Sequence, residues 1–270
     1  MRLEAGWTDL VSDGATCAAY RVRPAAAGER LPGIVLIQEV WGVDDHITDL
    51  AARIATAGYL ALAPDLYSLG GRPAALEPAR VAQAKEFLNS LPVGTWWDQA
   101  ARREALAGLP EGERTTIGES LSALFASRDR VALVALLRDV CAALRADPVC
   151  DGRVAAVGWC MGGGLAARLA CTEPHLAGAA VFYGESAPAD LVPAIECPLI
   201  GFYGGADPRI TDTVPGFAEI MEAAGKRYEP HVYPGAPHAF FNDTRPSYSV
   251  GAARDAWARL LSFFAELASD

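Results

Sequence analysis

Several features are scarce in this 270-residue chain. No apolar run reaches the ~18 residues that a membrane-spanning helix needs; the stretch from Val131 to Leu137, for example, is closed by Arg138. The N-terminus, Met1-Arg2-Leu3-Glu4-Ala5-Gly6-Trp7-Thr8-Asp9, lacks a basic stretch followed by an apolar one. No secretory signal is visible, and a cytoplasmic location is expected. Positive charge is in deficit, with 23 Lys and Arg against 33 Asp and Glu and a formal net charge of −10. Such a surface repels phosphate backbones and anionic lipid, so neither nucleic acid nor membrane is expected as a partner. Six cysteines are too dilute for a disulfide scaffold, and none forms a Cys-x-x-Cys pair or a Cys/His cluster with zinc spacing. No metal and no cofactor are expected, and five of the thiols read as reduced and packed.

What is present is apolar enough to fold: 51% of residues are hydrophobic and 21% charged, far from the composition of a disordered chain. Short β-branched and apolar runs alternate with longer amphipathic stretches, the pattern of parallel strands joined by crossover helices. Strands are expected at Ile34 to Ile37, Tyr59 to Ala63, and near 153–158, 178–183, 198–203 and 227–233. Helices are expected from Asp44 to Ala57 and near 131–146, 162–171, 212–225 and 248–268. A strand near 15–23 is expected to pair antiparallel at an edge. Residues 70–130 break the rhythm with Pro73, Pro78, Pro92, Gly94, Gly108, Pro110 and Gly112 among short helical patterns such as Val81 to Leu88. One domain spanning 1–270 is expected, with 70–130 as an insertion. The paired Trp96 and Trp97 suit a cap over one end of the sheet, because large aromatics outside the main core must bury against something. A surface helical excursion with two packing tryptophans is the alternative.

The sharpest chemical signal is the run Arg153-Val154-Ala155-Ala156-Val157-Gly158-Trp159-Cys160-Met161-Gly162-Gly163-Gly164 followed by a helical pattern. It reads as a nucleophile elbow with sulfur in place of oxygen. A nucleophile on a sharp strand-to-helix turn needs small residues two before and two after it, and Gly158 and Gly162 supply them. The turn sets Cys160 at a helix N-terminus, whose unpaired N–H groups and positive dipole end favour a thiolate. The Met161 N–H becomes a candidate oxyanion-hole donor. The competing reading is a glycine-rich turn that merely carries a buried cysteine.

An elbow of this type is followed along the chain by an acid and then a histidine, each in a loop after a later strand. Leu199 to Tyr203 runs into Gly204-Gly205-Ala206-Asp207-Pro208, and Arg227 to Tyr233 runs into Pro234-Gly235-Ala236-Pro237-His238. Asp207 and His238 therefore complete a candidate triad in which Asp207 orients His238 and His238 moves the proton of the sulfur. His46, early in a helix, His175, beside Pro174, and His231, inside a strand, are assigned structural or surface roles. The loop Gln38-Glu39-Val40-Trp41-Gly42 is expected to supply the second oxyanion donor, with the Val40 N–H as candidate. Glu39, at a strand end beside that loop, is unusual; its plain alternative is a solvated carboxylate.

Taken with Ala63-Pro64-Asp65-Leu66-Tyr67 and His238-Ala239-Phe240-Phe241-Asn242-Asp243-Thr244-Arg245-Pro246, these motifs resemble the dienelactone hydrolase (carboxymethylenebutenolidase) family. The resemblance covers nearly the whole chain apart from roughly 90–130. It implies an α/β-hydrolase fold, a mostly parallel central sheet flanked by helices with a helical insertion, and a Cys-Asp-His triad acting on a small ester or lactone. It further implies that Glu39 holds the resting thiol and takes its proton when substrate enters, which protects the sulfur from oxidation between turnovers. Family substrates often carry a carboxylate held by arginines. Here the pattern departs: Asn242 stands four residues after His238, where an arginine is usual, and the next arginine is Arg245. Arg72 and Arg80, both after Tyr67, are candidates for the other substrate arginine, and Trp41 and Tyr67 are candidate substrate contacts. Arg245 is equally readable as a loop arginine in a surface ion pair. A thioesterase or peptidase on the same triad, and a non-turnover binding or regulatory protein on a hydrolase scaffold, remain as alternatives. The sequence carries no signal for an oligomeric state.

Overall fold

A computed structural model describes residues 1–26, 28–96 and 98–269. The chain starts as a hairpin of β1 (Leu3–Ser12) and β2 (Ala15–Pro24), paired antiparallel from Leu3↔Pro24 to Ser12↔Ala15. Its two-residue turn, Asp13-Gly14, has positive φ at both positions, 46° and 76°, the geometry that matches the twist of paired strands. There follow β3 (Leu31–Ile37), α1 (Asp45–Thr56), β4 (Leu60–Pro64), α2 (Pro78–Asn89), α3 (Gln99–Ala107), α4 (Glu111–Leu124) and α5 (Arg130–Ala146). The second half contains β5 (Cys150–Trp159), α6 (Met161–Ala170), β6 (Ala179–Phe182), β7 (Leu199–Gly204), α7 (Pro208–Thr211), α8 (Val214–Ala223), β8 (Tyr228–Tyr233) and α9 (Val250–Ser269).

The strands form one sheet in the order β1-β2-β4-β3-β5-β6-β7-β8, parallel from β4 to β8. Every residue of β4, β6 and β7 is buried, as expected for strands covered on both faces. On one face Leu133, Leu137, Leu144, Leu165, Phe217 and Met221 from α5, α6 and α8 close the core. On the other, Ile47, Leu50, Ile54, Leu260 and Phe264 from α1 and α9 do so. Among the described residues no helix is long and apolar enough to cross a membrane.

The expected parallel strands and their helices fall within a few residues of the observed ones. The expected edge strand is a correction: β2 does pair antiparallel, with β4, but β1 lies outside it and forms the edge. Residues 74–124 hold helices α2, α3 and α4 with an apolar cluster of their own, Leu76, Val81, Leu88, Trp96, Ile117, Leu121 and Leu124, closed from below by Trp41 and Tyr67. Trp96 is buried there and donates from Nε1 to the Leu88 carbonyl at 2.7 Å; Trp97 lies outside the described residues.

Candidate active site

Cys160 sits between β5 and α6 with φ +54° and ψ −114°. A non-glycine residue in such a conformation costs about 1–3 kcal/mol and persists only where its surroundings over-determine it. Its N–H donates to the Phe182 carbonyl at 2.9 Å, and its own carbonyl accepts from the Gly164 N–H at 3.2 Å. Glycine then lets the backbones close in: a Cβ on Gly158 would lie 2.8 Å from the Gly163 nitrogen, and one on Gly162 2.5 Å from the Gln38 carbonyl oxygen. Larger residues at either position would force the strand, the turn and the neighbouring loop apart.

Two loops at the same end of the sheet bring the remaining groups to the sulfur. Asp207 follows β7 and His238 follows β8. The Nδ1 of His238 lies 2.6 Å from Asp207 Oδ2, and its Nε2 lies 3.3 Å from Cys160 Sγ. Asp207 makes no capping bond to α7, so its second oxygen faces Arg209 Nη2, 3.3 Å away. Asp207 and His238 are buried and Cys160 partly so. Burial pulls the pKa of His238 down, but the charge of Cys160 and the hydrogen bonds to Asp207 and Cys160 outweigh it and raise it to about 9. The histidine beside the sulfur is thus held toward its protonated form.

Glu39, two residues past β3, is 2% exposed. Its Oε1 accepts from the Tyr183 hydroxyl at 2.9 Å and its Oε2 from the Asn242 amide at 2.8 Å. Burial and the adjacent Glu39 charge push the Tyr183 hydroxyl well above its ordinary pKa, so it stays a donor. The carboxylate is therefore no solvated loop group. It shares a small chamber with Cys160, and its oxygens are engaged by Tyr183 and Asn242 while the sulfur faces His238. Asn242, the departure from the arginine pattern, carries a role that position alone did not signal.

Met161 begins α6 beside the sulfur, and Val40 follows Glu39; both line a cavity of about 410 Å3 together with Cys160 and His238. The Val40 carbonyl accepts from the Tyr67 hydroxyl at 2.7 Å. Tyr67 lies with its ring under the Arg128 guanidinium, 4.7 Å from the ring centroid. It props the loop and lines neither cavity. The apolar part of the large cavity comes from Leu124, Phe125, Leu133, Leu165 and Ile210, and its charged part from Arg128, Arg130, Arg209 and Glu185. Leu124, Phe125 and Arg128 come from the insertion, where nothing in the sequence marked them as cavity-lining.

The other arginine candidates divide. Arg72 pairs with the buried carboxylate of Asp65 and donates to the Leu76 carbonyl at 3.1 Å. Arg80, on α2, reaches α4, donating to the Thr116 carbonyl at 3.1 Å and to Glu119 at 2.5 Å. Neither lines the large cavity or the small chamber; Arg72 is held by Asp65 and Leu76, and Arg80 by Thr116 and Glu119. Arg245 is buried, not a surface arginine: its guanidinium lies 3.5 Å from the Trp96 ring centroid and 4.8 Å from that of Trp41. Its Nε donates to Asn89 Oδ1 at 3.2 Å. A second tie joins the same loop to α2, since Lys85 Nζ donates to the Asp44 carboxylate at 2.7 Å and to the Thr244 hydroxyl at 2.8 Å. That hydroxyl in turn donates to Asn242 Oδ1 at 2.7 Å.

The strand order, a cysteine elbow after β5, and an acid and a histidine after β7 and β8 define an α/β-hydrolase. The chain belongs to the dienelactone hydrolase family, whose model matches residues 17–268. It is 33% identical over 257 residues to a Saccharolobus solfataricus protein named "putative carboxymethylenebutenolidase", covering 93% of this chain and 95% of that one. An Escherichia coli protein of the same name is 31% identical over 273 residues, covering 96% and 86%. Among solved structures, a Klebsiella pneumoniae protein titled as a putative dienelactone hydrolase superposes with a TM-score of 0.72 at 29% identity, covering 98% of this chain and 99% of that one. The protein is a dienelactone-hydrolase-like hydrolase.

Proposed function

We propose that this protein opens a lactone or small carboxylic ester through a thioester formed on Cys160. The observation that carries this reading is the unbroken line from Asp207 Oδ2 through His238 to Cys160 Sγ, with contacts of 2.6 and 3.3 Å, on a strained elbow. Sulfur attacks the carbonyl carbon, the oxyanion turns toward the Met161 and Val40 N–H groups, and His238 protonates the departing oxygen as the C–O bond breaks. Acylation removes the sulfur charge that holds His238 protonated. Its pKa then falls, and the neutral imidazole is ready to activate water for the second half of the reaction. Glu39 lines the small chamber together with Cys160, and we assign it a share of the proton traffic during acylation.

The substrate enters the cavity of about 410 Å3, within the range of small-molecule sites. Its apolar walls suit an acyl or alcohol group of moderate size; Arg130 already pairs with Glu185 and Arg209 with Asp207, so Arg128, held by the Ala123 and Leu124 carbonyls, is the wall charge that favours an anionic substituent. We read residues 1–270 as one domain with 70–130 as its cap. The experiment is direct: activated esters and lactones should acylate the wild-type protein, adding the acyl mass to the peptide that bears Cys160. Cys160→Ala should retain the fold and lose turnover. Full turnover in that variant would refute the mechanism.

A further inference from the structure

Adjoining the large cavity at Cys160 and His238, which line both, is a chamber of about 20 Å3. Its polar walls are Glu39, Cys160, His238 and Arg245, and Trp41 and Trp96 are among its apolar ones. A space needs roughly 10–15 Å3 by this kind of measure to hold one water molecule. The chamber therefore takes one water and is too small for a carboxylate with a carbon chain behind it.

Its most unusual wall is Arg245. The side chain is 7% exposed, and Nη2 has no hydrogen-bond partner among the described residues. Trp96 and Trp41 cover the guanidinium, and Nε is spent on Asn89. Nη2 thus remains as an unused donor, on a group that feels the charges of Glu39 and Cys160. A buried donor without a partner is costly, and a bound water meets that need where the site offers two to four polar contacts. Glu39 adds an acceptor: each of its oxygens receives one protein hydrogen bond, leaving lone pairs over.

We infer that this chamber is the station of the hydrolytic water, held by Arg245 and Glu39, and that Arg245 is therefore a water-holding residue instead of an anchor for a substrate carboxylate. The inference rests on the thioester reading above. With the acyl group in the large cavity, the water accepts from Arg245 Nη2, donates one hydrogen to Glu39 and points the other at His238 Nε2. Its oxygen bonds to the acyl carbon as that proton passes to His238. The C–S bond then breaks, the proton passes to sulfur, and the free acid leaves with the oxygen of the water in its new carboxyl group.

The test compares wild type with Arg245→Met, Arg245→Lys and Asn89→Ala on p-nitrophenyl acetate, which is neutral, and p-nitrophenyl hemisuccinate, which is anionic. Stopped-flow release of nitrophenol reads acylation, and rapid-quench mass spectrometry reads the lifetime of the acyl-enzyme. Arg245→Met should acylate at a near-normal rate and then stall, with deacylation slowed about 10–100-fold equally for both esters. Arg245→Lys should recover part of the loss. Asn89→Ala, which keeps the tryptophan stack, should show a milder slowing of the same step. Unchanged deacylation together with a raised KM for the hemisuccinate alone would overturn the water station and make Arg245 a carboxylate anchor. Equal losses in acylation and deacylation, tracking a lowered melting temperature, would overturn it in favour of a structural role. If wild type itself forms no acyl-enzyme on Cys160, the thioester reading fails first and the water station falls with it.

Discussion

Gly204, the last residue of β7, should tolerate no side chain, although it touches neither the sulfur nor a cavity wall. A Cβ there would lie 2.5 Å from the Pro237 carbonyl oxygen and 2.6 Å from that of Ala236. These carbonyls belong to the turn that presents His238, and the Ala236 carbonyl also accepts from the Ala206 N–H at 2.9 Å. In Gly204→Ala the two loops must separate by about 0.5–0.9 Å to restore ordinary contact. Asp207 and His238 ride on opposite sides of that gap, so the strain falls on the 2.6 Å bond between them and on the 3.3 Å approach to sulfur. Overpacking of this kind costs about 1–3 kcal/mol, a fall of roughly 2–12 °C in melting temperature at about 2–4 °C per kcal/mol for a chain of this size. A misplacement approaching 1 Å is worth up to ~100-fold in rate. The assay is kcat/KM on an activated ester beside a calorimetric melt. Gly118→Ala, inside α4 with nothing within 4 Å of the new Cβ, is the control and should gain about 0.5–1 kcal/mol. Wild-type melting and turnover in Gly204→Ala would refute the claim that these backbones are in contact.

Three further outcomes follow from the same geometry. The imidazole of His238, followed by NMR, should titrate near pH 9 in the resting enzyme and markedly lower in Cys160→Ala, where the sulfur charge is gone; because its folded pKa is raised, its contribution to stability is complete below about 6.5 and is lost as pH rises through 9. An unchanged midpoint in the variant would sink the assignment of cause. Trp96→Ala should cost about 3–5 kcal/mol and open the 90–130 segment to limited proteolysis, since the indole is 3% exposed and anchors that cluster. Arg72→Met should destabilise by about 3–5 kcal/mol in urea unfolding, by stranding the buried Asp65 carboxylate. It should leave KM for anionic and neutral esters alike, and a selective rise for anionic esters would return Arg72 to the site.

The sheet was legible because parallel strands buried on both faces leave continuous apolar runs, and Leu60 to Pro64 or Leu199 to Gly204 can hardly be anything else. The strand β1 was not, because Leu3 to Val11 is largely exposed and mixes polar with apolar residues, so its only signal lies in pairing with β2. Cys160, Asp207 and His238 were legible from chain order and from glycines that the close backbone approaches require. The arginines were not. Arg72 is neutralised by Asp65, seven residues away along the chain, whereas Arg245 is set by Trp41, Asn89 and Trp96. Spacing along a sequence carries no record of which partner an arginine has already found.

The ties from α2 to the loop after His238 have a consequence for anyone who would re-engineer specificity. Lys85 and Asn89 on α2 hold Thr244 and Arg245, and through Thr244 the chain of donors continues to Asn242 and Glu39. Helix α2 of the insertion and the groups around the sulfur are thus one mechanical assembly. An insertion grafted from a relative would have to bring its own equivalents of those two side chains, or the transplant would disturb the groups around the sulfur as well.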